Sequence, residues 1–197
     1  MSPVSWILLA VALLVVFWAI GAFNRLTRLK NAIANAFGQI DVQLKRRYDL
    51  IPNLVEVARK YLAHEAQTLE AVIAARNQAR SAEQSAAASP LNAEAIGALA
   101  GAEQVLGGAL GRLMVVAEAY PELKADQTMR ELSEELASTE NRIGFARQAY
   151  NDHVLEFNDA AAQFPTLIIA RLFNFQTQSM LASTTSEAER QPVKVSF

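Results

Sequence analysis

The feature that most constrains this chain is an uncharged apolar run near its N-terminus, WILLAVALLVVFWAIGAF, from Trp6 to Phe23. With Val4 and Ser5 it gives about 20 residues, and a helix of roughly 30 Å crosses the hydrocarbon of a bilayer. The run therefore predicts a membrane anchor over residues 1–24. The aromatic residues of the predicted span are Trp6, Phe17, Trp18 and Phe23. A cleaved signal peptide is the alternative, but the run is long for one and no basic segment precedes it.

The charges that flank this run predict its orientation. No Lys or Arg precedes it, whereas Arg25, Arg28 and Lys30 follow it at once. Cytoplasmic flanks of membrane spans carry the excess of positive charge. We therefore expect a single-pass protein with its N-terminus outside and the rest of the chain in the cytoplasm.

The overall composition excludes several classes of function. The 197 residues carry a formal net charge of -2, so no global positive field attracts nucleic acid. The chain has no cysteine, which excludes disulfides, thiolate nucleophiles and cysteine-ligated metals. No nucleic-acid partner is expected.

Beyond the anchor, apolar residues recur at intervals of three and four, which is the period of one helix face. The pattern predicts an all-α fold: a transmembrane helix continuing into an antiparallel up-and-down four-helix bundle with long helices, over residues 25–165. The second helix is predicted to end near Arg80, followed by a linker and a new helix start near Ser89 or Asn92, and Asp126 is predicted to cap the fourth helix. An intermolecular coiled coil is the alternative.

The stretch LKRRYDLIPNLVEV places three consecutive cations before a proline. Pro52 has no N–H, so the Tyr48 carbonyl loses its helical donor and the helix is expected to kink or restart. Asp49 is placed to pair with the cations or to cap a restarted helix. The cations form either a solvated face or a docking surface for an acidic partner or neighbouring subunit. The candidate interaction surface is Lys45, Arg46, Arg47, Asp49, Pro52 and Asn53.

Polar residues border the apolar stripe of the fourth helix, and some are expected to be buried with hydrogen-bond partners. They predict internal hydrogen bonds that set helix register, with a ligand site as the alternative. The candidate network is Glu118, Glu140, Asn141, Arg147, Tyr150, Asn151 and Asn158.

No catalytic, cofactor or metal site is predicted, and no small-molecule substrate is indicated. The two histidines are His64 and His153, and HEAQT lacks the second zinc-ligating histidine because Thr68 stands there. The glycines of LGGALGR, at 106–112, lie within a helical stripe and predict close helix contact rather than phosphate binding.

The end of the chain divides into an apolar and a polar part. Residues 166–181 predict an apolar C-terminal helix that packs on the bundle, the membrane or a neighbouring chain. Residues 182–197 form a polar tail ending in PVKVSF.

Four motifs together resemble the LemA family: QIDVQLKRRYDLIPNLVEVARKYLAHE at 39–65, LGRLMVVAEAYPELKA at 110–125, ELASTENRIGFARQAYNDHVLEFNDAAAQFP at 135–165, and the terminal PVKVSF. The resemblance implies a bacterial inner-membrane protein with an up-and-down four-helix bundle. The family has no established biochemical role; some relatives are encoded beside an HtpX-type membrane metalloprotease, and one branch belongs to magnetosome membranes.

The expected function is therefore that of a membrane-anchored interaction or scaffold protein without catalytic activity. We expect it to contact the lipid bilayer, to self-associate as a homo-oligomer, and to serve envelope or membrane organisation. The alternatives are an adaptor or regulator of an HtpX-type membrane protease, or a membrane enzyme subunit.

Overall fold

The computed structural model describes residues 3–181, and this part of the chain is almost entirely helical and contains no strand. The all-α class predicted from the sequence is confirmed. The helices are α1 (Pro3–Arg59), α2 (Ala66–Ala88), α3 (Ala93–Glu118), α4 (Pro121–Ala125), α5 (Gln127–Ala162) and α6 (Thr166–Leu172). The predicted polar tail, residues 182–197, lies outside the described residues.

Helix α1 is 57 residues long and contains both the apolar run and the first helix of the bundle. In its first part the large side chains are exposed, among them Trp6, Phe17 and Trp18. From Leu26 onward only one face is buried. The buried positions that begin this face are Leu26, Ile33, Phe37, Ile40 and Leu44. One continuous helix therefore changes from apolar all round to amphipathic at the predicted end of the span.

The long helices pack in the spatial order α3, α2, α1, α5. Helix α5 runs antiparallel to α1, because the Phe37 ring meets the Tyr150 ring at 6.1 Å and Arg46, farther along α1, reaches back to Glu135. Within residues 3–181, α3 and α5 do not pack closely on each other. The four long helices therefore leave the bundle open on its α3–α5 side.

Side-chain caps fix the starts of two helices where the sequence indicates them. The Asn92 Oδ1 accepts hydrogen bonds from the Glu94 and Ala95 amides, at 2.9 and 3.1 Å. The Asp126 Oδ1 accepts from the Met129 amide at 2.9 Å, and its Oδ2 accepts from the Tyr61 hydroxyl at 3.0 Å. Asp126 thus caps α5 and also ties its start to the chain just beyond α1.

The linker predicted after Arg80 is wrong, because α2 continues to Ala88. The residues between are mainly Ala, Glu and Gln, which favour helix when no breaker intervenes. Glu83 and Ala86 are also buried in this stretch, so packing supports the extra two turns. The linker is reduced to the residues before Ala93.

Helix α6 is shorter than the predicted 166–181, since it ends at Leu172. Asn174 adopts a positive φ of 54°, the left-handed conformation that ends many helices. The Phe175 amide donates to the Ala170 carbonyl at 2.8 Å, and the Asn174 amide donates to the Arg171 carbonyl at 3.3 Å. This pair of bonds is a Schellman motif, and it turns residues 173–181 away from the helix axis.

Candidate functional site

Pro52 lies inside α1 without interrupting it, so of the two outcomes left open by the sequence, a kink or a restart, the restart does not occur. The Tyr48 carbonyl, which has no donor at position 52, accepts a hydrogen bond from the Arg76 Nε on α2 at 3.0 Å. Another nitrogen of Arg76 lies 4.0 Å from the Asp49 Oδ1. A neighbouring helix therefore supplies the donor that the proline removes, and Asp49 does not cap a new helix. Pro52 itself is half-buried and Asn53 is exposed.

The three cations Lys45, Arg46 and Arg47, the basic triplet, do not form a single surface. Lys45 Nζ lies 2.6 Å from the Asp41 Oδ2 within α1 and 3.8 Å from the Glu83 Oε1 on α2. Arg46 Nη2 donates to the Glu135 Oε1 on α5 at 2.6 Å. Successive helical residues are about 100° apart around the axis, so three in a row point at three different neighbours.

Arg47 is only 4% exposed, so its predicted place in an exposed interaction surface is wrong. Its Nη1 donates to the Glu103 Oε2 on α3 at 2.6 Å, and its Nε lies 3.3 Å from the Glu140 Oε2 on α5. The Tyr48 hydroxyl donates to the other Glu103 oxygen at 2.5 Å. Burial, together with the negative charge of Glu103, raises the pKa of Tyr48 well above its ordinary value.

Sequence reasoning missed Glu103, although a signal was present. Glu103 continues the buried stripe of α3, four residues after Leu99 and three before Leu106. An acid at a position whose neighbours on the same face are all apolar requires a buried partner. Arg47, on α1, is that partner, and only the packing of the helices identifies it.

A second buried acid, Glu83 on α2, lies beside Asp41 and Lys45. Burial raises the pKa of Glu83 to about 7, and the nearby Asp41 carboxylate adds to the rise. Burial also acts to raise the pKa of Asp41, but hydrogen bonding to Glu83 and Lys45 outweighs it and holds that pKa below its ordinary value. As pH rises, Asp41 therefore loses its proton before Glu83 does.

The open side of the bundle forms a cleft of about 630 Å³ over α1, between α3 and α5. Its floor includes the Arg47–Glu103 ion pair, and the α5 side contributes Glu140 and Arg147. The α3 wall is made largely of small residues: Ala100, Gly101, Gly107 and Gly108. A Cβ added at any of these three glycines would meet nothing within 4 Å. The predicted close helix contact at LGGALGR is therefore wrong, and the glycines leave α3 uncovered.

The predicted buried network is divided between three places. Glu118 and Asn141 are exposed, so neither belongs to an internal network. Glu140 and Arg147 line the cleft. The remaining residues, Tyr150, Asn151 and Asn158, hold the segment that follows α6.

Asn151 and Asn158 each bind the backbone N–H and C=O of one residue of that segment through two hydrogen bonds. The Asn158 side chain accepts from the Gln178 amide at 2.8 Å and donates to the Gln178 carbonyl at 3.0 Å. The Asn151 side chain does the same with Leu181, at 2.9 and 2.8 Å. Seven helical residues rise about 10.5 Å, close to the span of three extended residues. The spacing of the two asparagines therefore matches an extended chain laid along α5.

The histidines do not form a metal or catalytic cluster in the described chain. His64 is exposed in the turn after α1, and His153 lies 3.9 Å from the Glu156 Oε2. Among residues 3–181 no group of three or more His, Asp or Glu side chains is arranged to hold a metal ion. The polar contacts described above are mainly ion pairs between helices and hydrogen bonds from α5 to the segment after α6.

Residues 36–197 match the LemA family, and this stretch includes the basic triplet, Pro52, the cleft and the two asparagines. The chain belongs to the LemA family. The match covers most of the chain and confirms the resemblance seen in the sequence motifs.

This LemA family protein is also similar to three magnetosome proteins. MamQ of Magnetospirillum gryphiswaldense is 33% identical over 79 residues, which are 40% of this chain and 29% of that protein. MamQ 2 and MamQ 1 of Paramagnetospirillum magneticum are each 34% identical over 79 residues, with the same shares of both chains. The chain thus matches less than a third of the length of each of these relatives.

Proposed function

We propose that this LemA family protein is a membrane-anchored helical scaffold that acts by binding, without catalysis, and serves envelope or membrane organisation. The observation that carries the proposal is α1. Its most apolar stretch of 18 residues has a mean hydropathy of 2.6 and is only 6% buried, whereas the rest of the same helix forms the centre of the bundle. A helix of this length and composition is able to span a bilayer, and no linker separates it from the bundle.

We place the span in the bacterial inner membrane, with the N-terminus outside and the bundle in the cytoplasm. The exposed Arg25 and Arg28 immediately after the apolar run support this orientation. Helix α3 is also long and apolar enough to cross a membrane, with a mean hydropathy of 1.2. Because α3 packs along α2 and contributes Glu103 to a buried ion pair, we assign it to the bundle.

The binding surface in this proposal is the open side of the bundle, and its occupant is a second copy of the chain. The α5 side of the cleft carries opposite charges at Glu140 and Arg147, so it is complementary to a copy of itself. Val115, seven residues beyond Gly108 and therefore on the same face of α3, is 70% exposed. Anchoring in one bilayer also confines the copies to one orientation and raises their effective concentration.

Protease protection tests the anchor and its orientation. A protease added to intact spheroplasts is expected to leave the bundle uncut, and to digest it after the inner membrane is opened. Digestion of the bundle in intact spheroplasts contradicts the cytoplasmic assignment. Release of the protein by alkaline carbonate contradicts the anchor itself.

Cysteine crosslinking tests the binding surface, and the absence of native cysteine makes single substitutions specific. Gln104→Cys lies on the α3 wall of the cleft, and the matched control Gln78→Cys is exposed on α2. With a short thiol crosslinker in native membranes, we expect a species of twice the chain mass from Gln104→Cys alone. Equal crosslinking at both positions, or none at either, contradicts the proposed surface. A membrane metalloprotease crosslinked at Gln104→Cys would instead support the adaptor role.

A further inference from the structure

Helix α6 lies against α1 at the predicted exit of the span from the bilayer. The Phe23 ring contacts the Phe173 ring at 4.9 Å and the Phe175 ring at 5.6 Å, both edge-on. Ile169 and Ala170 form the buried side of α6. Since Phe23 is the last residue of the apolar run, α6 is held at the level where the hydrocarbon ends.

The opposite side of α6 is apolar and uncovered. Ile168 and Leu172, about one turn apart on α6, are 54% and 73% exposed, Phe173 beside them is 54% exposed, and Phe164 in the turn before α6 is 82% exposed. From position 164 to position 181 the only charged residue is Arg171. A helix face of this composition is typical of a segment that lies in a membrane interface.

Cations surround this apolar face. Arg25 and Arg28 are exposed on α1 just beyond Phe23, and Arg171 is exposed in the last turn of α6. Lys30 places its Nζ 6.0 Å from the centre of the Phe175 ring. Basic side chains next to a membrane-embedded surface are attracted to the phosphates of anionic lipids.

We propose that α6 inserts this apolar face, formed by Phe164, Ile168, Leu172 and Phe173, into the cytoplasmic surface of a phospholipid bilayer. The inference rests on the proposed anchoring of α1. Its occupant is lipid because the face is continuous with the end of the span and is bordered by cations. The protein is thereby attached to the bilayer at two points, so the bundle is fixed in its tilt as well as tethered.

Tryptophan fluorescence in nanodiscs tests this contact in the full chain. The two native tryptophans are replaced by Trp6→Phe and Trp18→Phe, and one new tryptophan is introduced by Phe164→Trp or Leu172→Trp. The control is Phe145→Trp on α5, a position that is 74% exposed but lies far along α5 from α6. The nanodiscs contain phosphatidylcholine and phosphatidylglycerol, with or without brominated acyl chains that quench tryptophan on contact.

We expect the tryptophans at positions 164 and 172 to emit at shorter wavelength and to lose most of their emission in brominated lipid. The control at position 145 should lose none, and should instead be quenched by aqueous acrylamide. If the tryptophans at 164 and 172 behave like the control, the inference is overturned. If they are shielded from both quenchers, a second copy covers α6, and the inference is equally overturned.

A single native tryptophan separates this inference from the proposed anchor. In the Trp6→Phe variant, Trp18 lies within the span and should be quenched by brominated lipid. If Trp18 is quenched and the α6 tryptophans are not, only the α6 contact fails. If Trp18 is not quenched, the anchor fails and the α6 contact fails with it.

Discussion

The two parts of α1 are one helix in two different surroundings. Before Ala22 its large side chains are exposed in every direction and none is charged. After Ala22 only one stripe is buried, and the helix carries charges of both signs and an internal proline, Pro52. In hydrocarbon, neither an unpaired cation nor a lost backbone hydrogen bond has a partner within reach.

The bundle part tolerates Arg47 and Pro52 because neighbouring helices supply what they need. Glu103 on α3 neutralises Arg47, and Arg76 on α2 donates to the carbonyl that Pro52 leaves free. The buried cation and the internal proline of α1 therefore mark places where neighbouring helices are bonded to α1. Substitutions in the two parts should therefore differ sharply in their effect.

The largest effect is expected from Phe37→Ala, compared with Phe17→Ala on the same helix. Phe37 is 2% exposed and meets Tyr150, whereas Phe17 is 70% exposed in the span. Removing a buried phenylalanine costs about 3 to 5 kcal/mol, which lowers the Tm by roughly 10 °C. Melting of the full chain in detergent, followed by circular dichroism, measures both variants. Equal melting temperatures for the two would remove the distinction between the two parts.

Glu103→Gln should cause the next largest loss, about 3 kcal/mol, because it leaves the Arg47 charge buried with only Glu140 nearby. The control is Arg46→Gln, which breaks an ion pair whose side chains are 50% and 42% exposed. Exposed pairs contribute about 0 to 1 kcal/mol. The same melting experiment decides between them, and an equal effect would show that the burial of Arg47 is unimportant.

The basic triplet should therefore not be replaceable as a unit. Arg47→Gln is expected to destabilise the bundle, while Lys45→Gln and Arg46→Gln leave it folded. The sequence alone predicts the same mild effect for all three.

The pH dependence of stability should reveal Glu83. Its pKa is about 7 in the native protein and near 4.5 in the unfolded chain, so between these values the native state binds more protons. Stability should fall as pH rises from about 4.5 to 7, because the proton bound by the native state is lost over this range. The lowered pKa of Asp41 acts only at more acidic pH. Glu83→Gln should remove this slope from a series of melting curves, and an unchanged slope would assign it to other groups.

The smallest effect concerns Pro52 and Arg76, and a double-mutant cycle isolates it. Arg76→Met should destabilise the wild type by about 1 kcal/mol, because the Tyr48 carbonyl loses its donor. In the Pro52→Ala background the backbone N–H at position 52 serves that carbonyl, so Arg76→Met should have less effect. Additive effects would show that the two residues are independent.

Much of the fold follows from local sequence signals. The apolar run, the caps at Asn92 and Asp126, and the helical period predict the helices of the described chain, since each depends on neighbours within a few residues. The ends of α2 and α6 do not follow from local signals. The burial of Glu83 extends α2, and the left-handed conformation of Asn174 ends α6.

The candidate site depends on contacts between residues distant in sequence, and much less of it could be predicted. The three cations of the basic triplet look equivalent in the sequence. In the structure, Lys45 lies near α2, Arg46 pairs with α5 and Arg47 pairs with α3. Which of the three cations is buried depends on the rotation of α1 within the bundle. The open α3–α5 side likewise arises from how the helices pack, and no motif in the sequence encodes it.

The distance between two spin labels on α1 tests most directly the claim that one rigid helix joins the membrane to the bundle. Leu14→Cys lies in the span and Glu56→Cys lies beyond Pro52, and both positions are exposed. An uninterrupted helix places them about 63 Å apart, at 1.5 Å per residue. We expect pulsed dipolar spectroscopy in nanodiscs to give one narrow distribution near that distance. A shorter or broad distribution would show a hinge between span and bundle, and α1 would then not be one rigid helix.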